Sequence, residues 1–431
     1  MHAGFSILIL LVLLGVGVPV AWSFAGTLAF LVYLYDVNLN TLMLQGFRSL
    51  NSVVLLALPL FIMAGYLMQS GGVARRLIEL VEHMVKGKRG GMGASMVLAC
   101  GVFGAISGTA TAAVASIGTI MTDPMEQRGY PRPYTAALLG ISSLLGILIP
   151  PSITMILFAV VTQQSVAACF AATIGPGILL IIGLVIFNYV SAKSWFQEKK
   201  PVEDDSVPQR SFAKIFLFTL PALTMPIVIL GGIYGGIFTP TEAAAVTVML
   251  AVVIGLFVYK DLTLSKLRSS LVSAAETTGI VVLILLFSFL IGRILVAQGV
   301  PQDLTAAVTN LVDSPLAILL MVNAFLILVG MVIDDISLTV VIAPLLLPLV
   351  GVADVNPIHF AAIVACAVVV GSNSPPMAPV LYMSCRIARV EVHRSFVPAI
   401  AMIVLVAIPV QLITTFVPAV SLYIPRLFGL I

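Results

Sequence analysis

Charge is what this chain of 431 residues has least of: charged residues make up 9% of it and hydrophobic residues 60%. A soluble domain carries about 25% charged residues. The composition therefore excludes a core built against water and predicts an all-α polytopic protein of the lipid bilayer. A formal net charge of +3 is too small to imply a nucleic-acid partner. Cysteine is scarce as well. Cys100, Cys169, Cys366 and Cys385 stand singly in apolar runs, so they read as small core residues without disulfide or metal spacing. His2, His83, His359 and His393 are scattered, which offers no zinc or catalytic histidine cluster. No G-x-x-x-x-G-K-[ST] loop occurs, so no nucleotide cofactor is expected. The first apolar run is long and lacks a positively charged start, unlike a cleavable leader.

What is present is a series of long apolar runs. A span needs about 20 apolar residues. The expected spans are 4–34, 50–69, 132–161, 166–192, 213–235, 240–259, 276–297, 357–386 and 395–422. Gly15, Gly17 and Pro19 are able to split the first of them. Two further runs, 92–127 and 314–350, are too long for one helix and too short for two. Each has a polar middle, "SGTAT" at 107–111 and "DDIS" at 334–337. These predict re-entrant hairpins, whose tips are tolerated only where protein or a cavity surrounds them. Amphipathic segments at 72–88 and 299–313 precede the two hairpins. The polar linker 197–211 divides the chain roughly in half, and Asn356 falls in a loop.

The halves match at a shift of about 225 residues. "YTAALLGISSLLGILIPPS" falls on "HFAAIVACAVVVGSNSPPM", with Gly146 on Gly371 and Pro150-Pro151 on Pro375-Pro376. Gly/Pro-interrupted helices at matching places in two halves point to the binding site of a secondary transporter. Arg75, Arg76, Lys86, Lys88 and Arg89 lie in or beside the first amphipathic segment, whereas the second has only Asp303 and Asp313. The positive-inside bias then puts matching pieces on opposite faces. The expected fold is an all-α polytopic protein of two inverted-topology repeats, each with a re-entrant helical hairpin and a broken helix. The first repeat covers 1–196, a linker and connecting span 197–235, and the second repeat 236–431.

A broken helix exposes carbonyls where its first half ends, and N–H groups with a positive dipole end where its second half begins. Carbonyls suit a small hard cation, and N–H groups with hydroxyls suit a carboxylate. Gly146 to Ser152 and Gly371 to Met377 are therefore the expected cradles, faced by the hairpin tips. Contacts to a carboxylate substrate are assigned to Ser107, Gly108, Thr109, Ser152, Ser372 and Asn373. Contacts to Na⁺ are assigned to Thr111, Gly146, Ile149, Pro150, Asp335, Ser337, Gly371 and Ser374. The competing structural readings are helix packing for the small hydroxyl residues and a solvated tip for Asp334 and Asp335, although acids at membrane depth are usually functional. Glu242 and Glu276 stand near span ends, and Arg293 is placed to snorkel.

The strings "PLFIMAGYLM" (59–68), "GVFGAISGTATAAVASIGTIM" (101–121), "GILIPPS" (146–152), "GGIYGGIFTPTEAAAV" (231–246) and "GSNSPPM" (371–377) resemble the large membrane subunit of TRAP transporters, the tripartite ATP-independent periplasmic carriers. The resemblance covers essentially the whole chain. It implies Na⁺-driven import of a small organic acid, such as a C4-dicarboxylate, across a bacterial inner membrane. It also implies a small four-helix membrane subunit, expected as a separate chain, and a soluble periplasmic binding protein. Transport in the family is thought to be an elevator motion. Carried onto this chain, the moving domain holds about 92–161 and 314–386, the remaining long spans form the scaffold, and 72–88 and 299–313 link the two. The alternative is a carrier of the same architecture that works without a binding protein. An intramembrane protease is more remote: Asp334-Asp335 lacks a Gly-x-Gly-Asp setting, and Ser107 lacks the Gly-x-Ser-x-Gly frame.

Overall fold

The computed structural model describes residues 2–85, 88–196, 198–199, 211–312, 314–375 and 378–431. Most of the linker 197–211, with Lys86, Asp313, Pro376 and Met377, lies outside the described residues. Every regular element among the described residues is helical. Among the described residues, seven helices are long and apolar enough to cross a membrane, or eight with one bent pair counted as a span.

The expected first span is two helices, α1 (His2–Gly15) and α2 (Val20–Tyr35), which pack on each other. The chain turns at Gly17, which takes a φ of +89° that an L side chain rarely adopts, and α2 starts after Pro19. Then follow α3 (Leu39–Leu50) and α4 (Ala57–Ser70). The amphipathic segment forms α5 (Val73–Val85), which buries Val73, Leu77, Ile78 and Val81 along one stripe. Arg76 on α5 pairs with Asp261 and stacks on the Tyr259 ring, 4.3 Å from its centroid.

The first hairpin is α6 (Gly91–Ser107) and α7 (Ala110–Gln127). The first broken helix is α8 (Arg132–Leu148) and α9 (Ile153–Thr162), bent by 44° across 149–152. Four long helices follow, α10 (Val166–Ser194), α11 (Phe212–Tyr234), α12 (Pro240–Val258) and α13 (Leu264–Ala297). Helix α13 begins twelve residues before the expected span, because Lys266 and Arg268 interrupt hydropathy without interrupting a helix. The second amphipathic helix is α14 (Val300–Thr309). The second hairpin is α15 (Pro315–Gly330) and α16 (Asp335–Val352), and the second broken helix is α17 (Pro357–Ser372) and α18 (Pro379–Ala388). Two helices close the chain, α19 (Val392–Phe416) and α20 (Ala419–Leu427).

The order helix, amphipathic helix, hairpin, broken helix, helix thus occurs twice. The two broken helices lie antiparallel. At one end, the Arg132 guanidinium at the start of α8 donates to the Ala388 carbonyl at the end of α18, at 3.0 Å. At the other, Phe158 near the end of α9 stacks edge-on with Phe360 near the start of α17, with centroids 6.1 Å apart.

Packing divides the helices into two bodies. Helices α12 and α13 both pack on α4. The hairpins and broken helices form the other body, and α10 and α19 pack on it too. The sequence division puts 166–192 and 395–422 with the scaffold; their contacts are with the hairpin body. Asn188 on α10 explains part of this. Its amide donates to the Gly90 carbonyl at 2.7 Å and its oxygen accepts from the Tyr134 hydroxyl at 3.1 Å, tying α10 to the base of the first hairpin. A separate apolar cluster joins the two bodies: Leu58 and Ile62 of α4 and Val281 and Leu285 of α13 meet Ile153 and Leu157 of α9 and Val340 of α16.

Candidate functional site

Both hairpins reverse into a second helix that is capped by a side chain. Helix α6 ends at Gly108, whose φ is +65°, and a Cβ there would lie 2.7 Å from the Pro151 carbonyl oxygen. Thr109 then caps α7, its hydroxyl accepting from the Ala112 N–H at 3.3 Å. At the second tip Asp334 caps α16, accepting from the Ser337 N–H at 3.2 Å and from the Ser337 hydroxyl. Thr109 and Asp334 are equivalent at the repeat shift. Gly146 and Gly371 are equivalent too, and each makes a close backbone approach, though to different positions of its hairpin. A Cβ on Gly146 would lie 2.9 Å from the Thr109 carbonyl oxygen, and one on Gly371 would lie 2.5 Å from the Gly330 carbonyl carbon. Glycine lets each broken helix touch the backbone of its own hairpin, at the turn in the first and at the end of α15 in the second.

The tips and breaks meet round a cavity of about 490 Å³. From one side it is walled by the starts of four helices: α7 (Ala110, Thr111, Ala112), α9 (Ile153, Thr154), α16 (Asp335, Ile336) and α18 (Pro379, Val380). A helix start carries roughly half a positive charge on its first-turn N–H groups. Here Thr109 and Asp334 each take up one such N–H, the Ile153 N–H donates to the Gly108 carbonyl at 3.3 Å, and Pro379 has none. The remaining first-turn N–H groups of α7, α9 and α18 stand nearest the cavity. Ser107 and Ser372 complete this wall. The opposite wall comes from α4 and α13, through Ile62, Gly65, Tyr66, Gln69, Thr277 and Val281. The Tyr66 and Thr277 hydroxyls are hydrogen-bonded at 2.9 Å. Among the described lining residues the only charged side chains are Asp334 and Asp335.

Of the residues expected at the site, Ser107, Gly108, Thr109, Thr111, Asp335 and Ser372 line this cavity. Ser152, Asn373, Gly146, Ile149, Pro150, Ser337, Gly371 and Ser374 are outside its lining, at the breaks and the tip behind it. Two of these are distinctive. The Ser152 hydroxyl and both polar atoms of the Asn373 amide are fully buried without a hydrogen-bond partner. Buried polar groups are normally satisfied, so these oxygens, beside carbonyls freed where helices end, fit the donor set of a hard cation. Ser337 and Ser374 differ, since their hydroxyls bond Asp334 and the Val370 carbonyl.

Sequence reasoning missed Thr154, Tyr66, Gln69 and Thr277. Thr154 donates to Asp335 at 3.1 Å, from the first broken helix to the second tip. Its signal was its place two residues after "PPS". The other three sit on unbroken spans, where a lone polar residue has no local signature. Glu242 closes a capping box with Thr239 at the start of α12, and Arg293 donates to Gln45 at 2.6 Å. Both serve helix ends or helix contacts away from the cavity. Glu276 is exposed within α13.

A family model described as "Tripartite ATP-independent periplasmic transporter, DctM component" matches residues 7–420. The chain is 33% identical over 406 residues to the C4-dicarboxylate TRAP transporter large permease protein DctM of Pseudomonas aeruginosa, covering 94% of each. It is 32% identical over 413 residues to the isethionate TRAP transporter permease protein DctMQ of Oleidesulfovibrio alaskensis. That match takes in 95% of this chain and 64% of the relative, so the chain spans less than two thirds of that protein. Among solved structures, the YdaH transporter of Alcanivorax borkumensis matches with a TM-score of 0.66 at 13% identity, over 89% of each chain. That likeness concerns the fold alone.

Proposed function

Since the chain belongs to the DctM component family of tripartite ATP-independent periplasmic transporters, we propose that it is the large permease subunit of an Na⁺-coupled importer of a small organic acid. It is a multi-pass protein of the bacterial inner membrane. The relatives named for a C4-dicarboxylate and for isethionate support a small organic anion as the cargo. The partners are a small membrane subunit and a soluble periplasmic binding protein that delivers the substrate.

One observation carries this reading: four helix starts and both hairpin tips meet at a single cavity between two packed bodies. The helix starts favour a carboxylate there. Na⁺ is placed at the breaks, among Ser152, Asn373, the carbonyls of 146–150 and 371, and the Asp335 carboxylate. Movement is a slide of the hairpin body past α4, α12 and α13, with α5 and α14 as the linking arms. The moving body is then 91–194 with 315–427, larger than the sequence division by α10, α19 and α20. The antiparallel broken helices support the inverted repeat on which such a slide depends.

Uptake tests the coupling. The substrate is found by screening organic acids against the partner binding protein. In proteoliposomes holding all partners, its uptake requires an inward Na⁺ gradient and no ATP. Undiminished uptake with K⁺ in place of Na⁺ on both sides, at constant pH, overturns the proposal.

A further inference from the structure

The two walls of the cavity differ in kind. Every helix start and both carboxylates come from the hairpin body. The wall from α4 and α13 is uncharged, and its polar groups are the Tyr66 and Thr277 hydroxyls and the Gln69 amide. Tyr66 is held in place: it bonds Thr277 at 2.9 Å, and one turn on, Ser70 bonds Ser270 at 2.7 Å. The Gln69 amide is half-buried and has no hydrogen-bond partner among the described residues, leaving donor and acceptor free.

A ligand bridging these walls has its anionic end at the helix starts. Its far end meets hydroxyl and amide groups and no cation. A second carboxylate placed there would lose hydration without gaining a charged partner, which is costly. A hydroxyl or carbonyl there would be fully satisfied. Size agrees, since about 490 Å³ falls within the roughly 300–1,000 Å³ that drug-sized ligands fill.

We propose that this site takes an acid with one carboxylate and a neutral hydroxylated or amide tail, and that Tyr66, Gln69 and Thr277 read the tail. The proposal rests on the carboxylate site described above and narrows its substrate class. It also assigns selectivity to the wall that stays behind when the hairpin body slides, so the tail contacts break on translocation.

The four native cysteines are buried, so an introduced thiol reports alone. Ala115 lines the cavity on α7. Ala115→Cys, in the full chain with its membrane partner in nanodiscs in NaCl, is labelled with a maleimide in the presence of D-gluconate, butyrate or succinate. Thr111→Cys, exposed at the same cavity, is the second reporter. Gluconate is expected to protect at concentrations about fivefold or more below butyrate, the ratio that one retained neutral hydrogen bond provides, and below succinate as well. Gln69→Leu and Tyr66→Phe bring gluconate to the butyrate level. Succinate protecting as well as gluconate, or an unchanged gluconate-to-butyrate ratio in both variants, overturns the tail-reading wall and leaves the carboxylate site standing. No protection by any of the three at either reporter overturns the carboxylate site, and the tail reading with it.

Discussion

Thr154 donates a hydrogen bond to Asp335 at 3.1 Å, so a residue of the first broken helix orients a carboxylate at the tip of the second hairpin. Neither repeat completes the cavity alone. The bond joins the two halves at the point where helix starts face the ligand space.

Thr154→Val keeps the side-chain shape and removes the donor. A hydrogen bond to a charged group contributes about 1.5–3 kcal/mol, so uptake at fixed, subsaturating Na⁺ and substrate should fall roughly tenfold or more. Thr154→Ser should restore most of it. Equal uptake by the wild type and Thr154→Val in proteoliposomes would remove Asp335 orientation from the transport cycle.

Gly146→Ala and Gly371→Ala each push a methyl group into backbone atoms of the adjoining hairpin, Thr109 in the first and Gly330 at the end of α15 in the second, which cannot rotate away. Overpacking of this kind costs about 1–3 kcal/mol. Both variants should lower the melting temperature in detergent. Gly279→Ala is the contrast. Nothing lies within 4 Å of its Cβ position on α13, and alanine favours a helix over glycine by up to about 1 kcal/mol. A Gly371→Ala protein that melts like Gly279→Ala would contradict the close approach to Gly330.

Lys88 and Gln302 are both exposed, at the ends of the two linking arms. In an inverted repeat they face opposite compartments. Lys88→Cys should react with an impermeant maleimide only in inverted vesicles, and Gln302→Cys only in right-side-out vesicles. Labelling of both from one side defeats the inverted arrangement.

Asn373→Ala removes two buried, unpartnered polar atoms. Without a ligand at that amide, the change should leave stability equal or higher, because an unsatisfied buried polar group costs free energy. With an Na⁺ contact there, the half-saturating Na⁺ concentration for uptake should rise severalfold. Asn356 is a poor control, since its side chain accepts from the Ile358 N–H at 2.8 Å and caps α17, a contact whose loss costs about 1 kcal/mol. Asn310, exposed at the end of α14, is the better one. An unchanged Na⁺ dependence in Asn373→Ala moves the cation elsewhere.

The hairpins and broken helices were legible because turn-forming residues are costly inside an apolar run and mark where the chain reverses or bends. "SGTAT" marks the turn at Gly108 and Thr109, and "PPS" marks the bend before Ile153. The N-terminal split was signalled by Gly17 and Pro19, although hydropathy alone joined α1 to α2. Asp334 and Asp335 were found as a pair, but their division of labour was not: one caps a helix and the other bonds Thr154. The α4 and α13 wall was invisible for a different reason. Tyr66, Gln69 and Thr277 sit on regular helices, and which face of a span meets the hairpin body is set by tertiary packing. The same holds for Asn188, whose bonds to Gly90 and Tyr134 bring α10 to the hairpin body.

Thr109 and Asp334 do the same capping work at matching turns, yet one side chain is an alcohol and the other, beside Asp335, is an acid. The consequence is electrical. In the slide proposed above, carboxylates fixed to the hairpin body travel through the membrane field with it, like gating charges. Each full charge moved exchanges about 2.3 kcal/mol with a potential of 100 mV. In that proposal, bound Na⁺ would screen such charges on the loaded stroke, whereas the empty body would carry them bare as it returned. An inside-negative potential would then favour the outward return of the empty carrier, so the voltage of the cell would drive the reset of the cycle.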